Sequence, residues 1–230
     1  MRVTSKAFAI TSLLAPLFAE HPKVNNVSAT EMVGLSIHNL QICHQGNWRD
    51  MTFQIHYQAD PLGTANNVSE IRDFVHEFLN NYPNTTDFWE VMNKKLTLSL
   101  TDQFPDIILL ESNLAIGPDR EFSFPRESIV HYSRESGITK ESFRFTKLNY
   151  LVCNETFKSL DFHVSFDFKE KPDPSDYPDY QWIDAAMEQF FAKEPVSFSK
   201  WEKTKHKLEA FLKEKFPTLP CLEIDVSAAK

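Results

Sequence analysis

The sequence predicts an α+β fold built from two tandem units, each with the order strand, strand, helix, helix, strand, strand. The second unit lacks its last strand. Two observations lead to this prediction. The 230 residues are 42% hydrophobic and 24% charged, which is enough apolar material for a core and excludes a wholly disordered chain. The chain also repeats itself. We expect antiparallel sheets with a pair of helices on one face of each unit.

The repeat has an offset of 112 residues and needs no gap. The matched pairs include Ile71 and Ile183, Trp89-Glu90 and Trp201-Glu202, Phe104-Pro105 and Phe216-Pro217, and Leu110-Glu111 and Leu222-Glu223. Because so many matches share one register, the two halves are duplicates of one supersecondary unit. We place the first unit at 31–135 and the second at 141–230, with a separate N-terminal segment at 1–30.

Each unit opens with two stretches in which apolar and polar residues alternate, a pattern that predicts paired strands. In the first unit these stretches are 35–42 and 53–57, and the turn between them is Gln45-Gly46-Asn47. In the second unit they are 143–150 and 162–168. Each unit therefore begins with a hairpin.

Two apolar stripes at helical spacing follow in each unit. They predict helices over 71–82 and 89–104 in the first unit, and over 183–191 and 201–216 in the second. A proline stands at or just after the end of each stripe, as expected where a helix stops.

Closing strands are predicted over 107–116 and 222–226. In the first unit a further strand over 128–132 completes a second hairpin across Gly117-Pro118-Asp119. Gly46 and Gly117 are thus both assigned to hairpin turns. The chain ends before the second unit could form the counterpart of this last strand.

Glycine is scarce, with 5 residues against 13 prolines and 20 phenylalanines. Loops that bind phosphate need closely spaced glycines, and the nearest pair here is Gly34 and Gly46. Such a nucleotide site is excluded. The net charge of −8 also argues against nucleic acid as a partner.

The N-terminal segment bears on location. Three widely spaced cysteines, Cys43, Cys153 and Cys221, suit a reducing compartment, and we expect a cytoplasmic protein. The alternative is secretion, because Met1–Ala19 has the charge and apolar pattern of a signal peptide. That stretch is too short to span a bilayer, so no membrane partner is expected. Four Asn-x-Ser/Thr sequons, at Asn26, Asn67, Asn84 and Asn154, agree weakly with secretion.

The order of elements, in tandem, resembles the tunnelling fold (T-fold superfamily). That superfamily includes dihydroneopterin aldolase and epimerase, GTP cyclohydrolase I, pyruvoyl-tetrahydropterin synthase and urate oxidase. The local likeness is to the dihydroneopterin aldolase group, in which a Leu-Ile-Glu-like sequence opens the second helix. Phe88-Trp89-Glu90 and Lys200-Trp201-Glu202 stand there in this chain. The resemblance implies a pterin- or purine-like ligand, aldolase or epimerase activity in folate or pterin metabolism, no cofactor, and a homo-oligomer that covers the sheet edges.

The resemblance also implies the site residues. The family glutamate holds the amide and amino edge of the pterin, since one carboxylate offers two coplanar acceptors. Glu90 and Glu202 match it. The family tyrosine at the start of the first helix matches Tyr180 in the second unit but Val68 in the first. We therefore expect Tyr180 and Glu202 to form the main site, with Glu90 as a further anchor and Tyr180 as the candidate catalytic residue.

Each glutamate also has a purely structural interpretation. Asp87-x-x-Glu90 and Ser199-x-x-Glu202 have the spacing of capping boxes, in which the glutamate supports a helix start. The histidines His38 and His44 lie in the first hairpin, but the spacing of known zinc histidines is absent and no metal is expected.

Alternatives to the aldolase activity remain open. Gly117 stands where the family has a catalytic lysine, which favours a catalytically silent binding or assembly module. A urate-oxidase-like enzyme would use a Lys–Thr pair and an Arg–Gln clamp, for which Thr146, Lys147 and Arg144 are candidates. A secreted glycoprotein with the same topology is the third alternative.

Overall fold

The computed structural model describes residues 32–61, 63, 67–83, 86–120, 122–152, 158–168, 172–177, 179–194, 201–219 and 221–228. The N-terminal segment 1–30, with the predicted signal sequence, lies outside the described residues. The elements, in chain order, are β1 (Val33–His44), β2 (Asn47–Ala59), α1 (Val68–Asn81), α2 (Trp89–Gln103), β3 (Ile107–Ile116), β4 (Arg126–Ser133), β5 (Gly137–Val152), β6 (Lys158–Phe168), α3 (Tyr180–Lys193), α4 (Trp201–Lys215) and β7 (Glu223–Ala228).

All seven strands form one antiparallel sheet in the order β1 to β7, so each strand pairs with its neighbours in sequence. The two predicted units meet where β4 pairs with β5, from Arg126 opposite Phe145 to Ser133 opposite Gly137. The α+β class, the antiparallel pairing and the strand and helix order are confirmed. The division into two tandem units stays a prediction, because the sheet runs through the boundary without a break.

One face of the sheet is buried and the other is open. Alternate residues of β1 and β2, beginning at Leu35 and Arg49, are buried while most of their neighbours are not. The buried face carries phenylalanines such as Phe53, Phe143 and Phe162, which belong to the same core as the apolar stripes of the helices. Fully buried aromatic side chains include Phe53, Tyr57, Phe143, Phe145, Phe162 and Phe166. Each such side chain stabilises the fold by about 1.5–3 kcal/mol through burial alone.

Gly46 and Gly117 were both expected in tight hairpin turns, and the structure agrees for Gly46 but not for Gly117. Gly46, between β1 and β2, has φ of +78°, a left-handed conformation that favours glycine. Gly117 has no such φ, and a Cβ there would approach nothing closer than 3.7 Å, so this position does not require glycine. The expected tight turn at 117–119 is a longer connection, because β3 ends at Ile116 and β4 begins at Arg126. Gly137, at φ +70°, is the left-handed glycine at the start of β5.

Three further features bear on location. None of the described helices is long and apolar enough to cross a membrane. Cys43 and Cys221 are free and exposed, and Cys153 lies outside the described residues. Of the four sequon asparagines, Asn67 is described, and its side chain caps α1 by accepting from the Ser69 backbone N–H at 3.2 Å.

Candidate functional site

A cavity of about 420 Å³ lies between the N-terminal ends of α2 and α3. Its volume falls in the range of about 300–1,000 Å³ that is usual for small-molecule sites. Its walls come from both halves of the chain: the turn after β1, the start of α2 and the start of β4 on one side, and Ser175, Tyr177 and residues 179–181 on the other. The continuous sheet brings these segments together through the pairing of β4 with β5.

Aromatic side chains form much of the wall. Trp89 and Tyr180 stack with their ring centroids 6.3 Å apart and their planes inclined by 29°. Phe145, beneath them in the sheet, meets the Tyr180 ring edge to face at 5.8 Å. Phe88 is exposed at the mouth, and Phe122 lines the opposite side. Flat aromatic walls of this kind favour a flat ligand, because ring faces stack on one another.

Glu90 lies at the start of α2 and is only 4% exposed. Burial raises the pKa of its carboxyl to about 8, although its own backbone N–H, the Arg126 charge and the Tyr180 hydroxyl favour the ionised form. A buried carboxyl with few compensating charges keeps its proton. Glu90 is therefore mostly a neutral acid at pH 7, able both to donate and to accept a hydrogen bond.

The capping-box interpretation of Glu90 does not hold in the structure. The residue that caps α2 is Phe88, whose side chain makes no capping hydrogen bond. Asp87 instead accepts from Tyr82 Oη at 2.5 Å and from Lys95 Nζ at 2.6 Å, and both contacts lower the pKa of its carboxyl. Asp87 therefore does not form a capping box with Glu90, and Glu90 lines the cavity.

Tyr180 is the first residue of α3 and is 4% exposed. Its hydroxyl has no hydrogen bond of good geometry among the described residues. It lies near enough to Glu90 that burial and the Glu90 charge together raise the pKa of the phenol well above its usual value. The two groups thus influence each other's titration. Asp179 caps the helix, accepting from the Gln181 backbone N–H at 2.9 Å, which holds Tyr180 in place.

Arg49 and Arg126 line the cavity, and both pair with Asp119. Arg126, at the start of β4, is 2% exposed and donates from Nη2 to Asp119 Oδ2 at 2.9 Å. Arg49 of β2 pairs with the same Asp119 oxygen. The Phe122 ring lies 3.7 Å from the Arg126 guanidinium carbon, a cation–π contact. Arg126 Nε and Nη1 are buried and have no hydrogen-bond partner in the part of the chain that the structure describes.

Residues 175–177 are fastened to the sheet by a buried carboxylate. Glu141 of β5 is 1% exposed and accepts from Lys94 Nζ of α2 at 2.6 Å and from Tyr177 Oη at 3.0 Å. Burial and the Glu141 charge raise the pKa of Tyr177, so its phenol stays protonated as the donor. This contact holds one wall of the cavity in position.

The turn after β1 is fixed against the start of α2. His44 Nε2 donates to the Asp87 carbonyl at 2.8 Å, and Gln45 Nε2 donates to the same carbonyl at 3.1 Å. Burial lowers the pKa of His44, so the ring is neutral at pH 7. His44 is buried. Among the described residues, no group of three or more His, Cys, Asp and Glu side chains is placed to hold a metal ion.

The structure brings together two of the three predicted site residues, in a combination that differs from the expected one. Tyr180 of the second half meets Glu90 of the first half. Glu202, on α4, is exposed and is not among the described residues that line the cavity. The reason lies in the sheet, since the pairing of β4 with β5 sets the start of α3 beside the start of α2.

The residues considered for a urate-oxidase-like site lie elsewhere. Thr146 Oγ1 is hydrogen-bonded to His163 Nδ1 at 3.1 Å, and Lys147 Nζ donates to Asp184 at 2.7 Å. Arg144 is exposed. The sequence reasoning missed Arg126, Arg49, Asp119 and Tyr177. Arg126 stands two residues before the predicted strand 128–132, but nothing in the repeat marked it as a cavity residue.

Comparisons with known proteins agree with this architecture. No protein-family model matches the sequence, and no curated protein matches it. The solved structures do match. A uricase from Bacillus fastidious superposes with a TM-score of 0.60 at 8% identity, covering 87% of this chain and 84% of that chain.

Urate oxidase from Bacillus sp. TB-90 gives a TM-score of 0.60 at 11% identity, covering 85% of this chain and 86% of that one. The chain has the fold of the urate oxidases. The tunnelling fold expected from the sequence is therefore confirmed. At these identities the likeness concerns the fold alone, and the specific likeness to the dihydroneopterin aldolase group stays a prediction.

Proposed function

We propose that the protein binds a flat heterocycle of the purine or pterin kind in the cavity between α2 and α3. The observation that carries this proposal is the buried Glu90 carboxyl, which faces the cavity beside the stacked rings of Trp89 and Tyr180. Purines and pterins present flat faces for stacking and edges that alternate between N–H donors and acceptors. A neutral Glu90 can meet a donor and an acceptor on one such edge.

The two ring classes are supported by different observations. The fold neighbours are urate oxidases by name, which favours a purine such as urate. The combination of Glu90 with Tyr180 matches residue types of the dihydroneopterin aldolase group, which favours a pterin. We place urate first and dihydroneopterin second among the ligands to be tested.

Catalysis is a second candidate function. Glu90 and Tyr180 form a buried pair with perturbed titration inside a cavity, which is typical of groups that move protons in catalysis. One observation argues against catalysis by the aldolase route: Gly117 stands in place of the lysine of the aldolase family. The backbone N–H of Gly117 donates to the backbone carbonyl of Asp50, and neither residue lines the cavity. The catalytically silent binding module is therefore the first form of our proposal.

Calorimetric titration with urate, hypoxanthine, neopterin and dihydroneopterin tests the proposal. We expect at least one ring to bind, and Glu90→Ala to weaken it about 10-fold or more, because both hydrogen bonds between the carboxyl and the ring edge are lost. Glu202→Ala is the matched control and should bind as the wild type does. If no ring binds, or if Glu202→Ala is the damaging variant, the proposed site is wrong.

A turnover assay separates the binding module from an enzyme. The protein is incubated with dihydroneopterin, and the products hydroxymethyl-dihydropterin and glycolaldehyde are sought. A parallel sample with urate in aerated buffer is followed by urate absorbance. Ring binding without turnover of either compound supports the silent module. Turnover that Glu90→Gln abolishes supports catalysis.

We also propose a homo-oligomer. In the described sheet, β1 and β7 are the edge strands and leave backbone groups unpaired. Light scattering at micromolar concentration that shows a monomer would contradict this. We propose a cytoplasmic location from the free Cys43 and Cys221, and the intact mass of the native protein would reveal cleavage or glycans if it is secreted.

A further inference from the structure

The residues that line the cavity between α2 and α3 fall into a buried set and an exposed set. Trp89, Glu90 and Tyr180 belong to the buried set, and each is at most 8% exposed. The exposed set, which we call the mouth, consists of Gln45, Phe88, Ser175, Asp179 and Gln181. The cavity of about 420 Å³ lies in the range that drug-sized ligands fill, so it has room for a ring and a substituent on that ring.

The polar groups at the mouth are suited to binding hydroxyl groups, which both donate and accept. The side chains of Ser175 and Gln181 each offer a donor and an acceptor, and neither has a hydrogen-bond partner among the described residues. Asp179 accepts from the Gln181 backbone N–H with Oδ1, and a carboxylate has a second oxygen that can accept. Gln45 donates with Nε2 to the Asp87 carbonyl, which leaves its amide oxygen as an acceptor.

The mouth also has an aromatic side chain. Phe88 is 52% exposed and comes directly before Trp89. The face of an aromatic ring is negative, so the weakly positive C–H groups of a sugar pack against it favourably. An exposed ring beside amide, hydroxyl and carboxylate groups therefore matches both kinds of surface that a sugar presents.

The charges at the mouth argue against a phosphate. Among the described residues of the mouth, the charged side chain is Asp179, which is negative and would repel a phosphate. The arginines of the cavity, Arg49 and Arg126, are at most 8% exposed and both pair with Asp119. The mouth thus favours an uncharged substituent.

We propose that the ligand is a heterocycle that carries an uncharged, hydroxyl-rich substituent, as a nucleoside does. The inference rests on the proposed function and adds a second binding surface to it. The ring stacks beside Tyr180, and the substituent binds Ser175 and Gln181 through its hydroxyl groups. Gln181 directly follows Tyr180, and consecutive Cα atoms are about 3.8 Å apart, so a group attached to the ring reaches the mouth. A ring alone should therefore bind more weakly than the same ring with its substituent.

Two matched pairs of ligands test the substituent at pH 7 by calorimetric titration. Inosine is compared with dideoxyinosine, which lacks two sugar hydroxyls, and neopterin is compared with 6-methylpterin, which has no hydroxyl on its substituent. We expect wild-type protein to bind the hydroxyl-rich member of at least one pair about 10-fold more tightly, because it makes two or more additional hydrogen bonds. Inosine monophosphate should bind more weakly than inosine, because its phosphate meets Asp179.

Variants then assign the preference to the mouth. The double variant Ser175→Ala with Gln181→Ala should reduce the preference about 10-fold and leave the affinity for the hydroxyl-poor member unchanged. The control is Gln103→Ala, which removes an exposed glutamine at the end of α2, outside the cavity, and should keep the preference. Because all three side chains are exposed, we expect these variants to fold, and circular dichroism checks this.

Three outcomes overturn the inference while heterocycle binding stands. They are equal binding within both pairs, tighter binding of inosine monophosphate than of inosine, and an unchanged preference in the double variant. Failure of all five ligands to bind overturns the proposed function itself. Glu90→Ala distinguishes the two surfaces, since it should weaken both members of a pair to the same extent.

Discussion

Replacing Glu90 by glutamine should change how the free energy of unfolding depends on pH. In the folded protein burial raises the pKa of Glu90 to about 8, against an ordinary value of 4.5. Between these values the folded state holds a proton that the unfolded state has released. Stability is therefore lost as the pH rises through this window. One pH unit corresponds to about 1.4 kcal/mol, so the whole window represents a loss on the order of 5 kcal/mol.

Glutamine has nearly the same shape and does not titrate, so Glu90→Gln should lack this loss. The difference in unfolding free energy, variant minus wild type, should be small near pH 5 and grow by about 1.4 kcal/mol per pH unit up to pH 8. Urea unfolding without ligand, followed by tryptophan fluorescence at pH 5, 6, 7 and 8, measures it. The groups common to both proteins cancel in the difference.

The matched control is Glu202→Gln, since Glu202 is exposed and its replacement should give a difference that is flat with pH. A flat difference for Glu90→Gln would refute the reasoning, because it would mean that Glu90 is already ionised in the folded state. The expected slope has a functional meaning. A buried acid that lowers stability at neutral pH is not explained by a stabilising role, which agrees with the ligand-binding role proposed for Glu90.

Three further predictions concern the surroundings of the cavity. Tyr177→Phe removes the hydroxyl that donates to Glu141. It should lower the free energy of unfolding in urea by about 1–2 kcal/mol and weaken ring binding in calorimetry. An unchanged free energy of unfolding would mean that this hydrogen bond does not contribute to stability. Asn67→Ala removes the cap of α1 and should cost about 1 kcal/mol without changing ring affinity. Because burial lowers the pKa of His44 from its ordinary value of 6.5, the unfolding free energy of His44→Gln minus that of the wild type should rise as the pH drops below 6.5, and a flat difference in urea unfolding would contradict this.

The fold was predictable because its signals are local. Apolar residues at alternate positions, including Phe53 and Tyr57, are enough to predict β2. The same alternation at Phe143 and Phe145 predicts β5. Helix stripes and the left-handed Gly46 also depend on near neighbours in sequence. The repeat supplied a second copy of each signal, which is why the element order emerged correctly.

The site was predictable only in part, because its contacts join residues that are far apart in sequence. Glu90 and Tyr180 could each be named from a resemblance, but which glutamate meets the tyrosine depends on the β4–β5 pairing. Arg126 contacts Asp119 and the Phe122 ring in the structure. No motif or spacing in the sequence indicates either contact. Asp87 is bound to Tyr82 and Lys95 and does not cap α2, another arrangement that sequence does not show.

The duplication further predicts how many rings one chain binds. At the seam between β4 and β5, Glu90 of the first half meets Tyr180 of the second. If an oligomer closes by pairing β7 of one chain with β1 of the next, the equivalent seam brings Glu202 together with Val68, the residue that stands in the tyrosine position. Valine has no hydroxyl and no ring to stack on a ligand.

The second seam should therefore be empty of ligand, whatever the size of the oligomer. We expect calorimetric titration to give one bound ring per chain, and Glu202→Gln to leave both the number and the affinity unchanged. Two rings per chain would show that a seam can bind without the tyrosine, and would remove the reason for assigning Tyr180 to the site. One ring per chain, lost on Glu90→Ala, would mean that the chain has a single site, at the seam where it holds both the acid and the phenol.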